Sequence, residues 1–192
     1  MRNLLLGSII FIIFQSCVSF ESTFNPYKLD KHNLNQLDGI YEINHAGYNS
    51  KYVKANNSYT SYSENFFKEI DRHLLRDTLK IDSSKNYKLG LKVLSDKLIK
   101  IDYIQDDSVF RSRTLKTKLK KDGYLYLKNK NIGIRLIPYL LGGIDIKKSR
   151  ITLSKEKNLV FDYSQHVSGA FLFLIFLDGE TSKRRLEYGR IE

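Results

Sequence analysis

The stretch Tyr87-Lys88-Leu89-Gly90-Leu91-Lys92-Val93-Leu94-Ser95-Asp96-Lys97-Leu98-Ile99-Lys100-Ile101-Asp102-Tyr103 decides the fold class. Tyr87, Leu89, Leu91 and Val93 alternate with polar or small residues, and Ile99, Ile101 and Tyr103 do the same beyond a turn at Ser95-Asp96. Successive side chains of a strand point to opposite faces, so this two-residue period predicts an antiparallel hairpin with one apolar and one wet face.

The pattern continues in both directions. Downstream, a longer and more charged strand is predicted over 109–119, with Asp122-Gly123 turning it into 124–128 and Asn129-Lys130-Asn131 turning that into 132–137. After Pro138 to Gly143, strands are expected at 144–147, 150–154 and 159–163. The nearly unbroken apolar run 170–177 reads as a central strand covered on both faces, and Asp178-Gly179 as the turn to a last strand near 184–188. Upstream, residues 37–43 open the ordered region, with Tyr41 and Ile43 on one face; 51–55 is its candidate partner across a turn at 45–50.

One helix interrupts the strands. Ser61 and Glu64 have capping-box spacing, and Phe66, Phe67, Ile70 and Leu74 then recur at helical intervals, predicting an amphipathic helix over about 63–79. The fold class is therefore mainly β: an antiparallel meander forming a barrel-like or sandwich domain, with that helix packed on it.

At 192 residues, with 42% hydrophobic residues, 13 Tyr and 11 Phe, the chain can bury a core without disulfides, and two Pro with 11 Gly exclude a low-complexity reading. The net charge is +11, or +10 once Arg2, the one charged side chain of residues 1–16, is removed. A basic surface attracts anions, and an anionic envelope component is a candidate partner. The basic residues are spread along the chain rather than gathered in one block, which argues against nucleic acid.

Met1-Arg2-Asn3 supplies a positive start and residues 4–14 an apolar run too short to span a bilayer, which needs about 20 residues. Phe14-Gln15-Ser16-Cys17 then resembles the lipobox of bacterial lipoproteins, with Ser16 at the cleavage point and Cys17 as the acceptor of diacylglycerol. Cys17 is the only cysteine, so it has no disulfide partner within the chain. The organisation expected is a signal peptide over 1–16, a lipid-anchored tether over 17–36 and a single β-rich domain over 37–192. The resemblance implies membrane attachment through the lipid, and Val18 in place of Asp implies passage to the outer membrane, facing the periplasm.

No catalytic constellation stands out. His32, His45, His73 and His166 lack metal-pair spacing, and there is no nucleophile elbow, P-loop or dinucleotide fingerprint, so neither a metal nor a cofactor is expected. Tyr48, Tyr52, Tyr59 and Tyr62 either form a stacking platform for sugars or apolar ligands, or simply fill half-buried strand positions.

Leu37-x-Gly39-x-Tyr41 resembles the opening of lipocalin-like domains, in which an Arg near the last strand packs over the aromatic ring of the first. The resemblance implies that part for Arg184 or Arg185. Across its length the chain is more similar to the uncharacterised lipoproteins common in Bacteroidota, which implies an envelope location and no particular activity. The function expected is a membrane-anchored, non-enzymatic binding or interaction module, with a small apolar ligand as one candidate partner; the alternative is an envelope hydrolase acting on glycan or lipid.

Overall fold

A computed structural model describes residues 20, 27–45, 66–70, 82, 84–129, 132–137, 141–171 and 175–191. In chain order its elements are a 3-10 turn η1 (Leu34–Leu37), β1 (Gly39–His45), a short helix α1 (Phe66–Ile70), β2 (Tyr87–Ser95), β3 (Leu98–Gln105) and β4 (Ser108–Leu119). There follow β5 (Leu125–Leu127), β6 (Ile132–Ile137), β7 (Leu141–Leu153), β8 (Leu159–Phe171) and β9 (Ile175–Arg190).

These strands form one antiparallel meander in the order β5-β4-β3-β2-β1-β9-β8-β7-β6. A further pairing of β5 with β7 closes the sheet on itself, with Leu125 opposite Ile151 and Leu127 opposite Ser149. Closure joins eight of the nine strands in a ring, with β6 paired to β7 outside it, and so removes the open edge that β5 would otherwise expose. The ring is not a regular barrel, because β7 changes partner along its length: it pairs with β6 from Leu141 to Ile146 and with β5 from Ser149 to Ile151.

The chain divides into two compact units. One, made of residues 22–131, 148–163 and 184–192, contains β1 to β5 with residues 148–153 of β7, 159–163 of β8 and 184–190 of β9. The other includes 132–147 and 164–183, where β6 pairs with the first half of β7 and Gln165 Nε2 donates to Asp145 Oδ1 at 3.1 Å.

The alternation that predicted the hairpin becomes the inner face of the ring. Tyr41 stands opposite Leu89, Leu89 opposite Tyr103, and Leu91 opposite Ile101. Leu115 on β4, Leu125 and Leu127 on β5, Ile151 and Leu153 on β7, Leu159, Phe161 and Tyr163 on β8 and Tyr188 on β9 join them in one buried cluster. At roughly 1.5–3 kcal/mol for each large apolar side chain buried, this face is the main stabilising feature of the fold.

Of the helix expected over 63–79, Phe66–Ile70 is helical and buries Phe66, Phe67 and Ile70 completely; the remainder, like the strand expected at 51–55, lies outside the described residues. Four other expectations change. Residues 144–147 and 150–154 are one unbroken β7, since Lys148-Ser149 is no turn: Ser149 is buried opposite Leu127 while Lys148 faces solvent. The run 170–177 is not one central strand, because β8 ends at Phe171 and β9 begins at Ile175. Asp178-Gly179 lies inside β9; a Cβ on Gly179 would stand 2.7 Å from His166 Cε1, so glycine serves a close approach rather than a turn. Finally, the end of the expected tether is packed, with Leu29 and Leu34 buried in the core, Tyr27 bridged to Leu153, and Leu29 N donating to Gly123 O at 3.1 Å.

Candidate binding site

The two ends of the ring are closed differently. Where β1 starts and β9 finishes, η1 brings Leu34 and Leu37 onto the core. Tyr41, fully buried, donates its hydroxyl to Leu37 O at 2.9 Å, and the Arg190 guanidinium carbon lies 5.6 Å from its ring centroid. Arg190 Nη1 donates to Gln36 O at 2.9 Å and Nη2 to Asp38 O, so one side chain satisfies two carbonyls of the 3-10 segment. Burial, partly offset by the Arg190 charge, pushes the Tyr41 phenol up to about 12. The Arg over the first-strand aromatic is thus Arg190, not Arg184 or Arg185. It lies opposite Tyr41 in the β1–β9 register, whereas Arg185 is engaged elsewhere.

At the other end, where β1 finishes and β2 begins, α1 is the stopper. The Phe66 ring meets Phe161 at 5.3 Å and Tyr188 at 4.8 Å, and Phe67 meets Tyr103 at 4.6 Å, Phe110 at 6.3 Å and Tyr87 at 6.4 Å, all edge-on. Asn129, buried, donates to Ile70 O at 2.7 Å and so fixes the end of α1 to the strand side.

The β3–β4 hairpin shapes the rim here. Asp106 and Asp107 both have positive φ, 47° and 63°, the signature of a tight hairpin turn that matches strand twist. Beyond it the register shifts: Ile104 faces Val109 but Tyr103 faces Arg111, leaving Phe110 as a bulge. Bulges re-aim side chains, and Phe110 stands 6.2 Å from Tyr87 and 6.3 Å from Tyr103 although it is still substantially exposed.

Cross-strand partners share a face, so Arg111, opposite Tyr103, and Arg113, opposite Ile101, belong to the inner side of β4 together with Leu115 and Thr117. Exposure along this side is graded: Leu115 and Thr117 are buried, Arg113 is half-buried and Arg111 is exposed. Burial pushes the Arg113 guanidinium down from its ordinary value. Among the described residues, the Tyr103 hydroxyl and the Thr117 hydroxyl have no hydrogen-bond partner, although Tyr103 is only 1% exposed. Burial also pushes the Tyr103 phenol well above its usual range, against the opposing charge of Arg111. An orphaned buried hydroxyl costs about 1–3 kcal/mol.

Arg185 lies in a network on the outer side of the ring. Its Nε donates to Asp162 Oδ1 at 2.7 Å and its Nη2 to Tyr124 Oη at 2.7 Å. Arg150 Nε reaches Asp162 Oδ2 at 3.0 Å, and its guanidinium carbon stacks 3.7 Å over the Tyr124 ring. Two cations thus share one buried carboxylate, with Asp122 and Tyr126 at the edge.

Ser16, Cys17, His73 and Tyr48, Tyr52, Tyr59 and Tyr62 lie outside the described residues. His32 is exposed, its backbone N–H bonded to Asp30 Oδ1 at 2.8 Å; His45 ends β1 opposite Tyr188; and His166 Nδ1 lies 2.8 Å from Thr181 Oγ1. Among the described residues no three His, Cys, Asp or Glu side chains are grouped to hold a metal ion. Sequence reading passed over Arg111 and Arg113, yet the signal was present: Arg111, Arg113 and Leu115 are spaced by two and must share a face if 109–119 is a strand. Comparison with family models, with curated proteins and with solved structures finds no match.

Proposed function

We propose that this chain is a lipid-anchored protein of the bacterial cell envelope whose ring is a non-enzymatic binding module for a small, largely apolar ligand taken up at the α1 end. The observation that carries the binding role is the Tyr103 hydroxyl, buried on an apolar inner face without a hydrogen-bond partner among the described residues. Buried polar groups are normally satisfied, and an orphan beside aromatic side chains is a ready contact for a polar atom of a bound molecule. Arg190 over Tyr41 supports the lipocalin-like character of the domain. The anchor rests on the lipobox ending in Ser16-Cys17, and outer-membrane attachment facing the periplasm on Val18.

Two experiments test this. Metabolic labelling with a fatty-acid analogue should mark the natural chain and fail to mark Cys17→Ser, because the thioether needs the thiol; equal labelling would remove the lipid anchor. Equilibrium dialysis of the full chain in nonionic detergent against radiolabelled dodecanol should show saturable uptake above the detergent alone. Uptake equal to the detergent blank would remove the apolar-ligand role.

A further inference from the structure

Lysines that lie far apart in the sequence come together at the η1 end of the ring. Thr152 Oγ1 donates to Tyr27 O at 2.7 Å and Leu29 N donates to Gly123 O at 3.1 Å, so the segment entering the domain is fastened both to the end of β7 and to the β4–β5 turn. Each of these three pieces exposes two lysines: Lys28 and Lys31 on the entering segment, Lys120 and Lys121 on the β4–β5 turn, Lys155 and Lys157 on the β7–β8 turn. Both turns are closed by their own backbones, Gly123 N donating to Lys120 O at 3.0 Å and Lys157 N to Ser154 O at 3.1 Å.

This charge is not cancelled locally. None of the six lysines pairs with a carboxylate among the described residues, and Lys120 Nζ has the Tyr126 ring as its neighbour, 3.7 Å from the centroid. The acids on the same three segments are Asp30, Asp122 and Glu156. Asp30 accepts from the backbone N–H groups of His32 and Asn33, and Asp122 is taken by Arg150 and Tyr126. The opposite end is built differently, with Lys85 and Lys88 at 3.8 Å and 2.7 Å from Asp106 and Asp107. Like charges gathered on one end repel, and an anionic surface facing them turns that cost into attraction.

We infer that the η1 end is a docking surface for the anionic lipid head groups of the membrane that holds the chain. This rests on the lipid anchor at Cys17 proposed above and adds to it the orientation of the domain. Attachment selects a bilayer over a soluble polyanion: the segment that carries Lys28 and Lys31 is the one that leads to Cys17. The ten residues from Cys17 to Tyr27 reach at most about 35 Å when extended, so this end is held close to the head groups at high effective concentration. Each lysine near an anionic surface then favours the docked state by about fivefold. Docking by this end turns the α1 end, with the ligand site proposed there, away from the bilayer.

The test uses the full chain, purified from the membranes of a bacterial host in nonionic detergent and inserted into preformed vesicles. These are of phosphatidylcholine alone or with about a quarter phosphatidylglycerol. A water-soluble amine-reactive reagent is read out residue by residue by mass spectrometry. The six lysines should label at least about threefold more slowly on the anionic vesicles than on the neutral ones, and the difference should vanish at 1 M salt, where the Debye length is about 3 Å. Lys85 and Lys88 should label alike on both. Lys155→Gln with Lys157→Gln should cut the protection of the other four several-fold. Lys85→Gln with Lys88→Gln removes the same charge from the opposite end and should leave that protection intact.

Equal labelling of the six lysines on the two kinds of vesicle, with the chain retained through a salt wash, overturns the docking surface and leaves the anchor standing. So does an equal loss of protection in the two double variants. A Cys17→Ser chain retained as firmly as the natural one overturns the lipid anchor on which the inference rests. Protection of the six lysines by heparin in detergent solution, with none on anionic vesicles, assigns the surface to a soluble polyanion and overturns the membrane as its partner.

Discussion

Arg190 on the last strand lies over the ring of Tyr41 on the first, 5.6 Å from guanidinium carbon to ring centroid, with both side chains meeting the carbonyls of the 3-10 turn that precedes β1. One contact therefore joins three parts of the chain: η1 is fastened to β1, and β1 to β9. The same junction is closed from the backbone side, where Ile191 N donates to Ile40 O at 2.7 Å and Arg190 N to Asn158 Oδ1 at 3.1 Å.

Removing that side chain should loosen the whole closed end. Arg190→Ala orphans two carbonyls and deletes the contact over Tyr41, and a loss of about 2–4 kcal/mol is expected from charged hydrogen bonds and a partly desolvated cation–π contact. Arg190→Lys should recover little, because an ammonium cannot reproduce the planar fork that reaches Gln36 O and Asp38 O together. Urea midpoints at unchanged slope measure this. A loss under about 0.5 kcal/mol for the alanine variant would mean that η1 is held by its leucines alone.

Asp162 is the hub of the outer network. It is 5% exposed and accepts from Arg150, itself 5% exposed, and from Arg185. Asp162→Ala takes a carboxylate at 3.0 Å from the buried Arg150 guanidinium and leaves it Asp122 at 3.4 Å, and should cost about 3 kcal/mol. Replacing Asp162, Arg150 and Arg185 together by Leu, Met and Met removes all three charges, and the same reasoning expects near-neutral or raised stability. Should the triple variant be as unstable as the single one, packing over Tyr124 rather than charge balance would be what the network contributes.

How much of this was legible beforehand depends on the kind of signal. The period-two pattern in Tyr87 to Tyr103 carried the hairpin and its inner face, because burial of one face leaves an imprint on every second residue. Phe66, Phe67 and Ile70 were legible for the same reason at helical spacing. Punctuation misled where polarity served another purpose: Lys148-Ser149 is a register position in β7, and Gly179 makes room for the His166 ring. Closure through β5 and β7 and the choice of Arg190 over Arg184 or Arg185 are long-range pairings, and no local pattern encodes those; the bulge at Phe110 is local to the β3–β4 hairpin but breaks the two-residue period there.

The two glycines with defined roles should behave differently. Gly123 has φ 77°, where an alanine is strained, and its carbonyl accepts from Leu29; Gly123→Ala should cost about 1–2 kcal/mol. Gly179→Ala meets the end of the His166 side chain, which can rotate away at the loss of its contact with Thr181, and Ser168 Cβ at 3.3 Å, which needs a shift of a few tenths of an ångström, so about 1 kcal/mol is expected. Thermal or urea unfolding of both variants checks the order. A larger loss at Gly179 would mean that the His166 ring is not able to move.

Two of the buried phenols, Tyr41 and Tyr103, give the protein an alkaline limit. Below pH 10 each is protonated whether the chain is folded or not, and neither makes stability depend on pH. Above pH 10 the unfolded chain loses the Tyr41 proton while the folded one, at about 12, keeps it. The unfolded state then binds fewer protons, so stability falls as pH rises, by up to about 1.4 kcal/mol per pH unit for one phenol and about 2–3 kcal/mol in all for Tyr41. Tyr103, raised further by its burial, acts in the same direction and extends the loss to higher pH. Phenylalanine variants separate the two, because the hydroxyls differ in what they bond. Tyr41→Phe forfeits the bond to Leu37 O and should lower stability by about 1 kcal/mol at pH 8, whereas Tyr103→Phe removes an orphaned hydroxyl and should raise it by about the same amount. Both should flatten the slope above pH 10, followed by urea midpoints at pH 8, 10 and 11 with tyrosinate absorbance as the second readout. A Tyr103→Phe chain less stable than the natural one at pH 8 would show that its hydroxyl has an acceptor within the protein, and the candidate site would lose its principal support.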